Sequence, residues 1–266
     1  TGTTPLDVWN LRFPSIEQYE VLHTDEEKRE YVQRDRGLRL IQTSLFPKPY
    51  AAGNEFDPSK PSKQIHGMNK AASKDILAFK WIVDSHTKSE APAIISTKAG
   101  IEAYEREGFS HVFDRDEHYN NLIGTNAFAE CRFGIVAGCN YPGDEVVKMW
   151  AALCGRGVEP ETNDEGKRLS GRNLNFGEFG NRILHAVREN DVLQAVMRFG
   201  RSPNERGDKG ATVYVHTSAI PEWVQPEIQE PRVHLWESNN GTTDVLSVLR
   251  ESGGEDTEWT APLVHD

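Results

Sequence analysis

Within Gln194–Arg201, read as QAVMRFGR, three side chains have types and spacing suited to gripping an anion. On a helix, Gln194 and Arg198 stand four residues apart and share a face, with Arg201 three residues further on. Gly200 is placed to end such a helix and to leave Arg201 at its carboxyl-terminal rim. Guanidinium groups set this way offer several donors to a phosphate, and an arginine supplied by a second lobe can stabilise charge on a γ-phosphate in transfer. Two arginines on an amphipathic helix also serve simply to solvate a face. The order Q-x-x-x-R-x-G-R, closing a helix just before a strand, weighs towards chemistry.

Other chemistries find less in the chain. It contains no G-x-x-x-x-G-K-[ST] phosphate-cradling loop, and no Asp-Glu pair ends an apolar strand where Mg²⁺ would be held. Asp144-Glu145 follows a turn, and Asp164-Glu165 lies in a polar stretch. Ser96 and Ser110 have no G-x-S-x-G setting for a nucleophile. His111 and His118 bracket Asp114, Asp116 and Glu117, but no helical His-x-x-x-His and no cysteine partner joins them, so the run reads as a solvated loop and no metal ligands are assigned. Trp81 and Trp150 fall on apolar helix faces, and Trp223 and Trp236 fit packing better than base stacking.

The segment QAVMRFGR resembles motif VI of the superfamily-2 helicases, with Gln194, Arg198, Gly200 and Arg201 in matching order and Met197 where a glycine is usual. Upstream, AIIST (Ala93–Thr97) is similar to motif IV, and HYNNLIGTNAF, ahead of FGIVAGCNYPGD, is similar to the motif V region. The strand followed by YPGD resembles the iron–sulfur-type helicases, although Ala129–Arg132 stands where their Glu-Gly-Ile-Asp would be. The opening TGTTP resembles the segment after motif III. The resemblance, over roughly residues 90–217, implies the C-terminal RecA-like motor lobe of an ATP-dependent DNA helicase. In that lobe Arg201 is the arginine finger, Arg198 a second phosphate-sensing arginine, and Gln194 a contact to nucleotide or the interlobe network. It further implies that Gly124, Thr125, Asn126 and Thr97 contact the nucleic-acid backbone, with His118 and Tyr119 as lesser candidates. ATP and Mg²⁺ would be bound mainly by a first, N-terminal lobe lying before Thr1, and the other partner would be DNA, single-stranded or at a duplex junction.

The elements that must position these residues follow a regular pattern. Thr24 with Glu27 three residues on is a capping-box opening to a helix, and Leu38–Thr43 reads as a short strand. Phe46–Pro61 is proline-rich loop, and Ser73–His86 has helical periodicity. Apolar strands at Ala93–Thr97 and Phe133–Cys139, a short one at Ser110–Phe113, and GATVYVHT alternate with helices over KAGIEAYEREG, over DEVVKMWAALCG capped by Asp144, and from Phe179 to about Gly200. That alternation predicts an α/β protein with a doubly wound, mostly parallel sheet. Residues 114–126 read as polar loop, Gly155–Gly177 as a loop or mobile insertion, and PEWVQPEIQEPRV as too proline-rich for a regular element. Thr243–Glu251 reads as a helix opening a possible winged-helix module. The expected division is an N-terminal extension over 1–70, the α/β lobe over 71–220, and a linker with that short helical tail over 221–266.

Composition narrows the classes. The net charge of −11, from 30 basic and 41 acidic residues, counts against a protein that coats nucleic acid, but a motor needs positive charge along one channel alone. No apolar run approaches the roughly 20 residues of a membrane span, and the opening residues are not a secretory signal. Cys131, Cys139 and Cys154 fit no zinc spacing and no disulfide framework, which points to a reducing cytoplasm. Two other classes remain open on sequence: a non-enzymatic α/β module binding nucleic acid or protein, and a small-molecule enzyme on the same sheet.

Overall fold

The computed structural model describes residues 12–15, 21–45, 93–106, 113, 115–122, 124–140, 142–169, 174–201 and 210–228. The helix expected over 73–86, the one over 243–251, the proline-rich loop after 45 and the opening TGTTP lie outside them. So do residues 110–112 of the short strand expected at 110–113.

Thr24 and Glu27 form the reciprocal capping box: the Glu27 N–H donates to Thr24 Oγ1 at 3.1 Å, and the Thr24 N–H donates to Glu27 Oε2 at 2.9 Å. Both bonds satisfy N–H groups that a helix start leaves without partners. They also hold the Glu27 carboxyl below its ordinary range, the Thr24 backbone bond acting most strongly. The helix they open, α1 (Asp25–Glu30), passes into one π-helical turn, Tyr31–Asp35, which delivers the chain to strand β1 (Leu38–Gln42). Thr24→Ala is expected to cost about 1 kcal/mol, read as a shift of the chemical-denaturation midpoint. No shift would show that the box contributes nothing.

The remaining elements in chain order are β2 (Ala93–Ser96), α2 (Lys98–Arg106), β3 (Arg115–His118), β4 (Phe133–Ala137), α3 (Asp144–Leu153), α4 (Gly177–Phe199), β5 (Ala211–His216) and β6 (Glu227–Ile228). The strands form one sheet in the order β3-β2-β4-β5-β1-β6, and every pairing is parallel. The chain is thus an α/β protein of doubly wound type. In β2 and β4 every residue is buried, so both faces of the sheet are covered, which is why these strands read as unbroken apolar runs. On one face Ile95, Val136, Val213 and Leu40 pack with Val192, Val196 and Phe199 of α4. On the other, Ile94, Ile135 and Tyr214 are equally buried, and Tyr214 lies 5.6 Å from the Phe133 ring. A second cluster, Val147, Ala151, Phe176, Ile183 and Leu184, joins α3 to α4.

Several sequence expectations change. The polar run Arg115–His118 is strand β3 and not loop; it pairs with β2 at the margin of the sheet, where a strand needs no apolar alternation and charged side chains discourage further pairing. Strand β1 comes from the 1–70 segment and β6 from the 221–266 segment, so the sheet draws on both flanks of residues 71–220. In the proline-rich stretch, Glu222–Val224 is a 3-10 turn and Glu227–Ile228 a strand, because Pro221 and Pro226 sit just before elements and take no N–H from a ladder. Helix α3 has Gly143 as its N-cap, with no side-chain cap bond. Asp144 instead accepts from Arg168 Nε at 2.6 Å, tying Arg168 to the start of α3. Residues 162–168 close on themselves through the antiparallel Thr162–Arg168 bridge.

The carboxyl edge of the sheet is polar and buried. Ser96 Oγ donates to the Ala137 carbonyl at 2.9 Å, the Tyr119 hydroxyl donates to the Gly138 carbonyl at 2.6 Å, and Thr43 Oγ1 meets His216 Nδ1 at 3.0 Å. Cys139, also here, is fully buried; burial pushes its thiol up to about 11, partly offset by the nearby Arg188 charge and a hydrogen bond with Thr217. An unfolded cysteine ionises near 8.5, so between that pH and about 11 the unfolded chain has already lost a proton that the native one keeps. Stability therefore falls with rising pH across this window, by up to about 3 kcal/mol. Cys139→Ala should flatten that part of the stability–pH curve, and an unchanged slope would place the cause elsewhere. None of Cys131, Cys139 and Cys154 is in a disulfide. Among the described residues no helix is long and apolar enough to cross a membrane.

Candidate functional site

The 23 residues of α4 run to Phe199, and Gly200 caps the helix. Gly200 has φ −95°, so it is not there to turn the chain left-handed. It is there for proximity: a Cβ on it would stand 2.9 Å from Leu38 Cδ1 and 3.0 Å from Arg36 Cβ. Val192, Ala195, Val196 and Phe199 face the sheet and are buried. Met197, at the position where the helicase pattern has glycine, stays helical and packs its partly buried side chain against the core.

This packing carries Arg198 and Arg201 to a single atom. Arg198 Nη1 donates to the Thr125 carbonyl at 3.2 Å, and Arg201 Nη1 donates to the same oxygen at 3.0 Å. The residues so joined are 73 and 76 positions apart in the chain. Gln194 lies one turn earlier on α4, half-buried. Thr125 belongs to an exposed turn: Gly124 has φ +82°, a backbone setting that glycine adopts without strain, and the Ala127 N–H donates to Thr125 Oγ1 at 3.1 Å. Asn126 is exposed, and its carbonyl accepts from the Ala129 N–H at 3.0 Å. Gly124, Thr125 and Asn126 thus share one turn with the arginines.

Thr97 does not join them. It follows the last residue of β2, at the carboxyl edge, where it is 6% exposed and its Oγ1 accepts from the Gly100 N–H at 3.1 Å. Its carbonyl accepts from the Ile101 N–H at 3.0 Å, so the residue caps α2. Phe199 and Gly200, by contrast, pack on the first residues of β4 and β1, at the opposite edge. The length of a four-residue strand, about 13 Å at the usual rise, separates the two edges. Tyr119 is also buried, and its hydroxyl donates to the Gly138 carbonyl at the carboxyl edge of the sheet. Trp150 and Trp223 pack against the two apolar clusters.

Two features of the site carry no sequence signal of their own. Arg115, from the polar run that became β3, donates from Nη1 to the Ala127 carbonyl and lies 4.0 Å from Glu130, so a third arginine grips the same turn. Phe128, two per cent exposed, meets Phe199 edge-on with centroids 5.5 Å apart. This aromatic contact joins the same two segments that the arginines join.

The electrostatics favour an anion. Among the described residues neither Arg198 nor Arg201 forms an ion pair, and a carbonyl oxygen does not neutralise a guanidinium. Burial, and then the like charge of Arg201, pull the Arg198 guanidinium below its ordinary pKa, though such a group stays cationic at neutral pH. A phosphate would relieve that repulsion and take the remaining donors in charge-assisted bonds. Comparisons with family models, with curated proteins and with solved structures returned no match.

Proposed function

We propose that this chain is the C-terminal motor lobe of an ATP-dependent DNA helicase or translocase of the superfamily-2, RecA-like type, acting with a first lobe that binds most of the nucleotide. The observation that carries the reading is the meeting of Arg198 and Arg201 at the Thr125 carbonyl. The motif VI-like and motif V-like segments, recognised separately in the sequence, are in contact.

The location supports a shared site. In open α/β sheets a lobe's own ligand lies in the crevice at the carboxyl ends of the strands. Here the arginines flank the amino ends, beside a largely exposed turn, and the sequence has no phosphate-cradling loop. Such a pair completes a pocket supplied by a neighbour. Two cationic forks suit the γ-phosphate of ATP, and in this role Arg201 is the finger while Arg198 braces the phosphate and the Thr125 turn. Among the described residues no three His, Cys, Asp or Glu side chains gather, so the proposal leaves Mg²⁺ to the first lobe. Gly124, Thr125 and Asn126 would face the DNA backbone beside the arginines, so that a strand pulling on the turn is felt at the nucleotide.

The test is ATP turnover by the two-lobed protein. Arg201→Ala must collapse turnover while nucleotide binding persists. Undiminished turnover refutes the proposal, and steeply salt-dependent binding of single-stranded DNA by such a protein would then mark a non-enzymatic binding module.

A further inference from the structure

Gly134 is the second residue of β4, and its lack of a side chain is used. A Cβ built there would stand 2.3 Å from Phe199 Cε1, 2.4 Å from Cζ and 2.8 Å from Cδ1. The Phe199 ring therefore occupies the volume that any other residue at 134 would fill. The ring has little room to turn aside, since it is fully buried and Phe128 stands against it with centroids 5.5 Å apart. Phe199 is flanked in the chain by Arg198 and by Gly200, which is itself pressed onto Leu38.

We propose that Phe199 is a positioning residue for the arginine pair. Its ring, seated in the notch left by Gly134 and backed by Phe128, sets the depth at which the last turn of α4 meets the sheet, and so the reach of Arg198 and Arg201. The inference deepens the functional reading above and rests on it for its catalytic consequence. Restoring ordinary van der Waals contact, 3.4 Å or more, after adding a methyl at 134 requires the ring to retreat by about 1 Å. The arginine bonds span 3.0 and 3.2 Å, so a shift of that size carries both donors out of hydrogen-bond range of Thr125. Misplacement on this scale at a reacting centre costs about 10²-fold in rate.

The experiment compares Gly134→Ala, Phe199→Leu, the double variant and a Val147→Ala control in the second apolar cluster. Two quantities are read: hydrogen exchange of the Arg198 and Arg201 side-chain N–H groups by NMR on the full chain, and kcat and KM for ATP on the two-lobed protein. Expected for Gly134→Ala is a loss of arginine protection of about tenfold or more and a fall in kcat of about 10²-fold, with KM little changed. The double variant, with a smaller side chain facing the new methyl, regains most of both, and Val147→Ala alters neither despite lowering stability. Unchanged arginine protection in folded Gly134→Ala overturns the proposal, as does a double variant no better than the single. If Gly134→Ala does not fold, Phe199→Leu alone decides: loss of the arginine protection supports the proposal and full protection overturns it. Displaced arginines with unaltered kcat would leave the positioning role standing and overturn the motor-lobe reading instead.

Discussion

On the proposed motor-lobe reading, Arg201→Ala in the two-lobed protein is expected to lower ATP turnover by about 10³- to 10⁵-fold, the range for removing an arginine that meets transition-state charge on a transferred phosphoryl group. Nucleotide affinity should change little, because an interaction made in the transition state alone leaves the ground state untouched. Arg201→Lys should recover only a small part, since an ammonium is a point charge and cannot reproduce the planar fork. The folded state should hardly notice either change. Arg201 is exposed and its bond to Thr125 sits in water, where a substitution typically moves stability by under about 0.5 kcal/mol. Arg198→Ala differs: that side chain is half-buried, so its loss should both slow turnover and loosen the Thr125 turn. Steady-state ATPase assays set beside binding of a nucleotide analogue and a denaturation curve separate these effects. Turnover within a few-fold of the parent protein would remove Arg201 from the finger role.

The parts of the fold that show in the sequence are those where burial dictates composition. AIIS, FGIVA and ATVYVH are apolar along nearly their whole length because both faces of a parallel sheet are covered, and each is a central strand. Thr24 and Glu27 announce the start of α1 because the capping box is a local contact between residues three apart. The marginal strands leave no such trace. Arg115–His118 is half-solvated and made of charged residues, and Glu227–Ile228 is two exposed residues after a proline. Their strand character comes from the neighbour they pair with, Ala93–Ser96 and Ile41–Gln42, which no local window contains. Asp144 misleads as a cap because its carboxylate serves a distant arginine, Arg168, and not its own helix.

The candidate site was legible in the same uneven way. Arg198 and Arg201 stand out because the spacing of a helix end is local, and the Thr125 turn stands out through Gly124. That these segments touch is a consequence of tertiary packing across more than 70 residues, led by Phe199, Phe128 and the empty place at Gly134. Each of those three reads in sequence as ordinary core or an ordinary strand glycine. Thr97 shows what a sequence window omits: its hydroxyl at a strand end also accepts from the Gly100 N–H at the start of the next helix, at the edge of the sheet away from the arginines.

Phe128→Ala should be the most destabilising change near the site, at about 3–5 kcal/mol, the usual cost of emptying a buried aromatic position. That is a large share of a typical domain's 5–15 kcal/mol, and in urea it corresponds to a fall in the midpoint of about 1–3 M. The value discriminates between two ways of holding the Thr125 turn. If arginine bonds to carbonyls held it, Arg198→Ala with Arg201→Ala would cost as much as Phe128→Ala. Both those bonds lie at the surface or half-buried, whereas Phe128 is two per cent exposed, so the aromatic should dominate by a wide margin. A double-mutant cycle between Phe128 and Phe199 should return a coupling of about 0.5–1.5 kcal/mol beyond the loss of buried area. A cost below about 1 kcal/mol for Phe128→Ala would mean that the ring is not part of the core. The arginines would then be the fastening of the turn, and could not give up those bonds to a phosphate without releasing it. If the larger cost is found, the hydrophobic contact fixes the turn, and the guanidinium groups are left to exchange a carbonyl for an anion at little structural expense.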